Sequence, residues 1–399
     1  MAVRKTRRTV RWWFKPLALI LSLGLFAILG EAVLRFRGVD VPTSTVLGMF
    51  FQHDSSAGWV GRPNATGTFQ TASFSVVVRH DADGLRESGL DTLLRDDRPA
   101  TMTVNGSSDA AQPNERDRRV CWIFGDSDAW GWGVADDAHY TALLNASCGE
   151  KMQFRNLGVP GYSTVQQYCR LRSLLASGLR PDVVIVTFNN GNDLLDNIAR
   201  MENDPPRPHY QATASSYRFV GPPVARSWNY EVGSFLKRHS VLVGYLSYHL
   251  KRAKHARRGF VVEAEDPAIT CSAPLEIECP PEAKICLKSV VASMQEECRQ
   301  ASIEFAMVSD LRMDSRLRAV CEESDVHLVD LGQHLERMQR TSQGNLPIRF
   351  AFDEHPNETA HQLIATALQD ELHAWHPEWR LKQTRVELAR EPEAGRVIR

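Results

Sequence analysis

Ser127 lies far in the chain from the Asp353 and His355 pair, but together they have the types and spacing that nucleophilic acyl transfer needs. A serine hydroxyl is a weak nucleophile until a base takes its proton. His355 is such a base. In an extended segment, side chains two residues apart point the same way, so Asp353 can orient the His355 ring and stabilise its imidazolium. These three make a candidate triad in the order Ser, Asp, His. The reaction also builds negative charge on a carbonyl oxygen, and each donor aimed at it contributes about 2.7–4 kcal/mol to transition-state stabilisation. Two glycine- and asparagine-rich segments, Asn156 to Thr164 and Asn189 to Asp193, offer such donors. Glycine lets a main-chain N–H come close to a substrate, and an asparagine NH2 is an uncharged donor that does not titrate.

For these residues to meet, the chain must hold them at one edge of one sheet. Val120 to Phe124 is an apolar strand that runs straight into Gly125, Asp126 and Ser127, which places the serine at a strand's carboxyl end, where open α/β sheets bind ligands. Gln153 to Leu157, Val183 to Phe188, Ile303 to Val308 and Val326 to Val329 are similar short runs, as expected of strands buried on both faces. Helical stretches alternate with them near 138–147, 164–177, 283–301, 315–324 and 357–374. The alternation predicts a parallel sheet covered on both sides, a three-layer α/β/α sandwich. Residues 196–281 interrupt the pattern and are too many for an ordinary connection. Within them, Val241 to Leu250 is too short to cross a membrane and reads as a helix packed on the domain. The whole insertion is then either a lid or substrate wall, or surface decoration. Upstream, a strand at Phe74 to Arg79 and a turn at Asp81 to Arg86 precede a polar connection, Asp96 to Arg119. That upstream segment is expected to pack on the main domain.

The chain ends carry a different message. Basic residues from Arg4 to Lys15 precede an apolar run, Pro16 to Leu34, broken only by Glu31. As a helix it spans about 28 Å at ~1.5 Å per residue, close to a bilayer core of ~30 Å. The basic flank favours a cytoplasmic N-terminus, with Trp12 and Trp13 at the interface. No small-x-small cleavage site follows, so an uncleaved anchor is preferred over a signal peptide, leaving the rest extracytoplasmic. The charge balance, 47 basic against 48 acidic residues, gives no reason to expect nucleic acid. No CxxC pair or metal-ligand spacing of histidines is present. Cys271, Cys279, Cys286 and Cys298 cluster, and read either as disulfides of an extracytoplasmic domain or as buried thiols.

Taken together, these blocks resemble the SGNH, or GDSL-type, hydrolase superfamily over about residues 119–200 and 300–370. Gly125-Asp-Ser followed by Gly131-Trp-Gly-Val134, with Asp83-Gly-Leu-Arg86 upstream and the anchor, is similar to membrane-anchored bacterial members. The resemblance implies Ser127 as nucleophile, completed by Asp353 and His355. It also implies an oxyanion hole from the Ser127 and Gly158 amides and the Asn192 side chain. The implied fold is an α/β/α sandwich on a central parallel five-stranded sheet, with no metal or organic cofactor.

Departures from the family pattern are specific. The aspartate stands two residues before the histidine rather than three, where Phe352 lies. Asp128 follows the nucleophile and would raise the pKa of His355 or repel an anionic substrate. Ala360-His361 replaces a common Gly-His pair. Asp126 reads as a turn residue, Trp130 and Trp132 as packing for the nucleophile loop, Asp193 and Asp196 as hydrogen-bonded rather than metal-binding, and His327 as a strand residue. The expected organisation is a tail and anchor over 1–38, a membrane-proximal segment over 39–118, the hydrolase-like domain over 119–374 and a charged tail over 375–399. The expected activity is an anchored serine esterase that removes acyl, chiefly acetyl, groups from an envelope carbohydrate or lipid. O-acetyl transfer to a polysaccharide, and a catalytically silent carbohydrate-binding or assembly protein, are the competing readings.

Overall fold

In the computed structural model the described residues are 13–39, 46–71, 73–88, 118–149, 151–198, 206–213, 216–257, 280, 282–309, 311, 313–341, 347–350 and 353–379. The chain forms two compact units, Met1–Ser44 with Asn229–Val261, and Thr45–Trp228 with Val262–Arg399.

The first unit is helical. Phe14–Phe36 is a 23-residue helix with an 18-residue stretch of mean hydropathy 2.4 and none of its residues buried, long and apolar enough to cross a membrane. A second helix, Val241–Arg257, packs against it, preceded by the helix Trp228–His239. Glu31 is the reason they meet. Its carboxylate accepts from the Val241 and Leu242 N–H groups at 3.0 and 2.9 Å and from Ser240 Oγ at 2.8 Å. Those are orphan donors at a helix start, where negative charge is also favoured by the helix dipole. The expectation of a 241–250 helix holds, but this helix belongs with the N-terminal one, because Glu31 caps it.

The second unit is built on a five-stranded sheet whose order across the sheet is His327–Val329, Glu304–Ser309, Val183–Phe188, Arg119–Gly125, Met152–Gly158. All neighbours are parallel. Helices Thr164–Ala176 and Glu282–Gln300 contribute to the core on one face, and Tyr140–Cys148 and Glu358–Trp375 to the core on the other. The strand Arg119–Gly125 is buried from Cys121 to Gly125, which is why it reads as a continuous apolar run. Ser163 and Gln166 form a capping box at the start of Thr164–Ala176. The architecture is the three-layer sandwich that the alternation predicts.

Upstream, Phe51–Asp54 pairs with Gly58–Gly61, and Thr66–Gln70 with Ser75–Arg79, as two antiparallel ribbons. Their Phe50, Phe51, Trp59, Phe69 and Val78 form a third core cluster with Trp130, Val159 and Tyr162 of the main domain. At about 1.5–3 kcal/mol for each fully buried large apolar side chain, this contact fastens the upstream segment firmly. At the other end, Trp379 is buried and the Arg119 guanidinium lies over its ring at 4.8 Å, so the domain runs on to Trp379 rather than stopping near 374. Cys286 and Cys298 are buried free thiols, which removes them from any disulfide; Cys271 and Cys279 lie outside the described residues.

Candidate active site

Ser127 opens the short helix Ser127–Trp130 directly after the strand Arg119–Gly125. Asp126 caps that helix, its Oδ1 accepting from the Asp128 N–H at 3.0 Å, so it acts in the turn, as its type suggests. Asn189, at the end of the neighbouring strand, donates through Nδ2 to Asp126 Oδ2 at 2.9 Å and to Asp128 Oδ2 at 3.3 Å. Its Oδ1 accepts from the Gly191 N–H at 2.7 Å. One asparagine thereby fastens the turn after the third strand to the turn that holds the serine.

His355 comes from the other side of the domain. A two-stranded ribbon, Arg349–Phe350 with Asp353–Pro356, leads into Glu358–Trp375. Asn357 caps that helix through Ala360 N–H at 3.1 Å while its Nδ2 donates to Pro347 O and Arg349 O at 2.9 and 3.1 Å. The ribbon and helix are locked to each other at the residue that fixes the height of His355. His355 Nε2 then lies 2.9 Å from Ser127 Oγ, and Nδ1 bonds Asp353 Oδ1, which also accepts the His355 N–H at 3.0 Å. The structure brings Ser127, His355 and Asp353 into one hydrogen-bonded row, with Nδ1–H donating to the carboxylate and Nε2 accepting from the hydroxyl as the arrangement that satisfies both.

The electrostatics follow from the neighbours. Burial lowers the His355 pKa, but the Asp353 hydrogen bond and the Asp128 and Asp126 carboxylates outweigh it, leaving it above the usual histidine value. Asp353 is raised by burial, yet its bonds to His355 and Trp132 bring it below the ordinary carboxylate range. Asp128 therefore acts as the sequence suggests, by raising the base.

Trp132 does more than pack. Its indole N–H donates to Asp353 Oδ2 at 3.1 Å and its ring stacks on His355 at 4.7 Å between centroids, 15° apart. It fixes Asp353 and His355 together. Nothing in the local pattern of the sequence signals this, because Trp132 and Asp353 are brought together only by the fold.

Arg86 is the second residue whose role is invisible in the sequence. It is 1% exposed and donates to Trp130 O at 3.2 Å, Gly131 O at 2.8 Å, Val134 O at 2.6 Å and Asp136 Oδ1 at 2.9 Å. Its guanidinium also lies 4.7 Å from the Trp130 ring centre. Taking a cation out of water costs several kcal/mol, which only this full set of acceptors offsets. Arg86 therefore sets the path of the loop that follows Ser127. His80 adds to the brace by accepting the Trp130 indole N–H at 3.2 Å.

The expected oxyanion donors are placed as follows. The Ser127 N–H, in the first turn of its helix, has no acceptor among the described residues. Gly158 faces Gly125 in the sheet register and gives its N–H to Asn156 Oδ1 at 2.9 Å. A Cβ there would lie 2.4 Å from Trp130 N and 2.8 Å from Ala129 Cβ, so glycine is needed for the nucleophile helix to rest on this strand. Asn192 donates through Nδ2 to Asp196 at 3.3 Å, within its own turn. Gly161, three residues beyond Gly158, has a positive φ of 76° and an N–H without an acceptor among the described residues. The upstream ribbons brace its loop: Trp59 Nε1 donates to Pro160 O at 3.2 Å, Tyr162 Oη donates to Trp59 O, and Gln166 Nε2 donates to Ala57 O at 2.8 Å.

The remaining candidates are structural. Asp193 is fully buried and accepts from Thr164 Oγ1 and the Asn189 N–H at 3.3 and 3.2 Å, and Asp196 pairs with Arg207 at 2.8 Å. His327 stacks on Trp375 at 4.5 Å in the edge strand. His361 lies buried against Tyr140, whose N–H it accepts at 3.3 Å.

The second unit is thus an α/β/α sandwich of open parallel-sheet type, with a serine, a histidine and an aspartate in a row at the carboxyl edge of its sheet. No family model matches the chain, and no curated protein is similar to it. Among solved structures it is similar to a member of the lipolytic protein G-D-S-L family from Veillonella parvula, at 13% identity and TM-score 0.33, covering 63% of this chain and 96% of that one. It is also similar to the psychrotrophic esterase EstA from Pseudoalteromonas sp., at 12% identity and TM-score 0.35, covering 65% and 99%. A GDSL-like lipase from Bacteroides thetaiotaomicron matches at 11% identity and TM-score 0.33, covering 67% and 93%.

Proposed function

We propose that the protein is a membrane-anchored serine esterase whose nucleophile is Ser127. The observation that carries this reading is the continuous row from Ser127 Oγ through His355 to Asp353. His355 Nε2 takes the hydroxyl proton as Ser127 Oγ bonds to the ester carbonyl carbon, and the tetrahedral intermediate carries the negative charge on the former carbonyl oxygen. Collapse breaks the ester C–O bond, and the alcohol leaves with the proton from His355. Water then adds to the acyl-enzyme by the same path, releasing the acid and restoring Ser127.

For the oxyanion we assign the Ser127 N–H and, in place of Gly158, the Gly161 N–H, since Gly158 has already given its proton to Asn156. Asn192 Nδ2 donates one of its two hydrogens to Asp196 at 3.3 Å and has a second to offer the oxyanion. The substrate we propose is an acylated, chiefly acetylated, carbohydrate or lipid of the cell envelope, with the Phe14–Phe36 helix as anchor, a cytoplasmic N-terminus and the second unit extracytoplasmic. This rests on the apolar helix, its basic flank and the motif resemblance. Transfer of the acyl group to a sugar hydroxyl instead of water uses the same acyl-enzyme.

The full chain in detergent or nanodiscs should hydrolyse small acetyl or butyryl esters, and Ser127→Ala should lose that activity. Equal turnover by the variant would dismiss the reading.

A further inference from the structure

The two consecutive helices Trp228–His239 and Val241–Arg257 expose apolar side chains. In the helix Trp228–His239, Val232, Phe235 and Leu236 fall on one face at helical spacing and are 54%, 55% and 45% exposed. The half-buried positions Glu231, Gly233 and Lys237 are charged or lack a side chain. In Val241–Arg257, Leu246 and Leu250, one turn apart, are 50% and 71% exposed. A water-facing pair of helices would have the opposite arrangement, with the apolar faces inward.

What covers this face is indicated by where the helix pair is attached. Glu31 caps the start of Val241–Arg257, Arg35 donates to His239 O at 3.1 Å, and Leu242 Cδ2 stands 3.4 Å from where a Cβ on Gly30 would be. All these contacts gather at the C-terminal end of the Phe14–Phe36 helix. Counted from Pro16, Glu31 is about 22 Å along at ~1.5 Å per residue, near the far side of a bilayer core of ~30 Å. A charged side chain at that depth needs partners: Arg35 Nε donates to Glu31 Oε1 at 2.7 Å, and Ser240, Val241 and Leu242 supply the further donors. The sequence then places Lys251, Arg252, Lys254 and Arg257, with no acidic residue, in the last two turns of the second helix.

We propose that this helix pair is an interfacial element that lies in the outward leaflet of the membrane spanned by the Phe14–Phe36 helix, its partner being phospholipid. Val232, Phe235, Leu236, Leu246 and Leu250 enter the acyl region. This rests on the anchor reading of the previous subsection and on none of its catalytic assignments. The insertion is in this part neither a lid nor decoration but a second membrane contact.

The test is site-specific photocrosslinking of the full chain in phospholipid nanodiscs, with benzoylphenylalanine placed singly at Phe235, Leu250, Lys237 or Phe26, followed by mass spectrometry. The expected result is a mass gain of one phospholipid at Phe235 and Leu250, as at Phe26 in the spanning helix, and its loss at Lys237. Lipid adducts at Phe26 without any at Phe235 and Leu250 overturn the proposal while the anchor stands. A covalent dimer from Phe235 or Leu250 in place of the lipid adduct also overturns it, in favour of a second copy on this face. Absence of adducts at Phe26 as well removes the anchor and the proposal together.

Discussion

Trp132→Phe separates the two contacts that this side chain makes with the triad. Phenylalanine keeps a ring against His355 but removes the N–H that donates to Asp353 Oδ2 at 3.1 Å. A hydrogen bond to a charged group is worth about 1.5–3 kcal/mol, and a factor of ten in rate corresponds to about 1.4 kcal/mol. The Asp353 side chain is 17% exposed, so water replaces part of what is lost. That discount places the expected loss in kcat/KM at the lower end, about tenfold. The direction with pH follows from the same bond. The Trp132 N–H holds the Asp353 pKa down, so its removal leaves a more basic carboxylate beside His355 and raises the His355 pKa further. His355 must be neutral to act as base, so the acid limb of kcat/KM moves to higher pH. The assay is hydrolysis of a chromogenic acetyl ester across pH 5 to 9 by wild type, Trp132→Phe and Trp132→Leu, the range bracketing an ordinary histidine pKa of about 6.5. Trp132→Leu, which also loses the ring, should be the slower variant. Unchanged kcat/KM in Trp132→Phe with an unmoved acid limb would show that the indole N–H does not support Asp353, and the positioning role would be abandoned.

Two further outcomes are expected. Asp128→Asn removes one of the carboxylates that raise His355, so the acid limb of its pH profile should move to lower pH; movement to higher pH would contradict the electrostatics of the site. Arg86→Met leaves Asp136 and three main-chain carbonyls without their buried donor. Asp136 keeps its bonds to Arg79, so the loss comes chiefly from the unsatisfied carbonyls, about 1–3 kcal/mol for a buried group left without its partner, which denaturant unfolding should detect; stability equal to wild type would show that the loop after Ser127 does not depend on this arginine.

The sheet was legible in the sequence for a physical reason: strands covered on both faces are rich in apolar residues, and the runs at 120–124 and 183–188 stand out most clearly, while 153–157, 303–308 and 326–329 carry polar residues among their apolar ones. The Asp353 and His355 pair was legible because their side chains share a face of one extended segment. Gly158 shows where reading by type stops. A glycine at a strand end looks the same whether it serves a substrate or a neighbouring helix, and only the approach of Trp130 N to within 2.4 Å of its missing Cβ distinguishes them. Trp132 and Arg86 were hidden because their partners are supplied by the fold across 221 and 50 residues. The attachment of the 241–257 helix to the N-terminal helix was hidden likewise, since it turns on one carboxylate, Glu31, reaching a helix start about 210 residues away.

The central claim is that Ser127 is a hydroxyl activated by His355. Incubation of the folded full chain with a serine-directed fluorophosphonate, followed by peptide mass spectrometry, tests it without knowledge of the substrate. The expected result is a single phosphonylated residue, Ser127, with labelling lost in Ser127→Ala and strongly slowed in His355→Asn. Failure of folded wild-type protein to label at Ser127, or labelling that persists undiminished in His355→Asn, would contradict it.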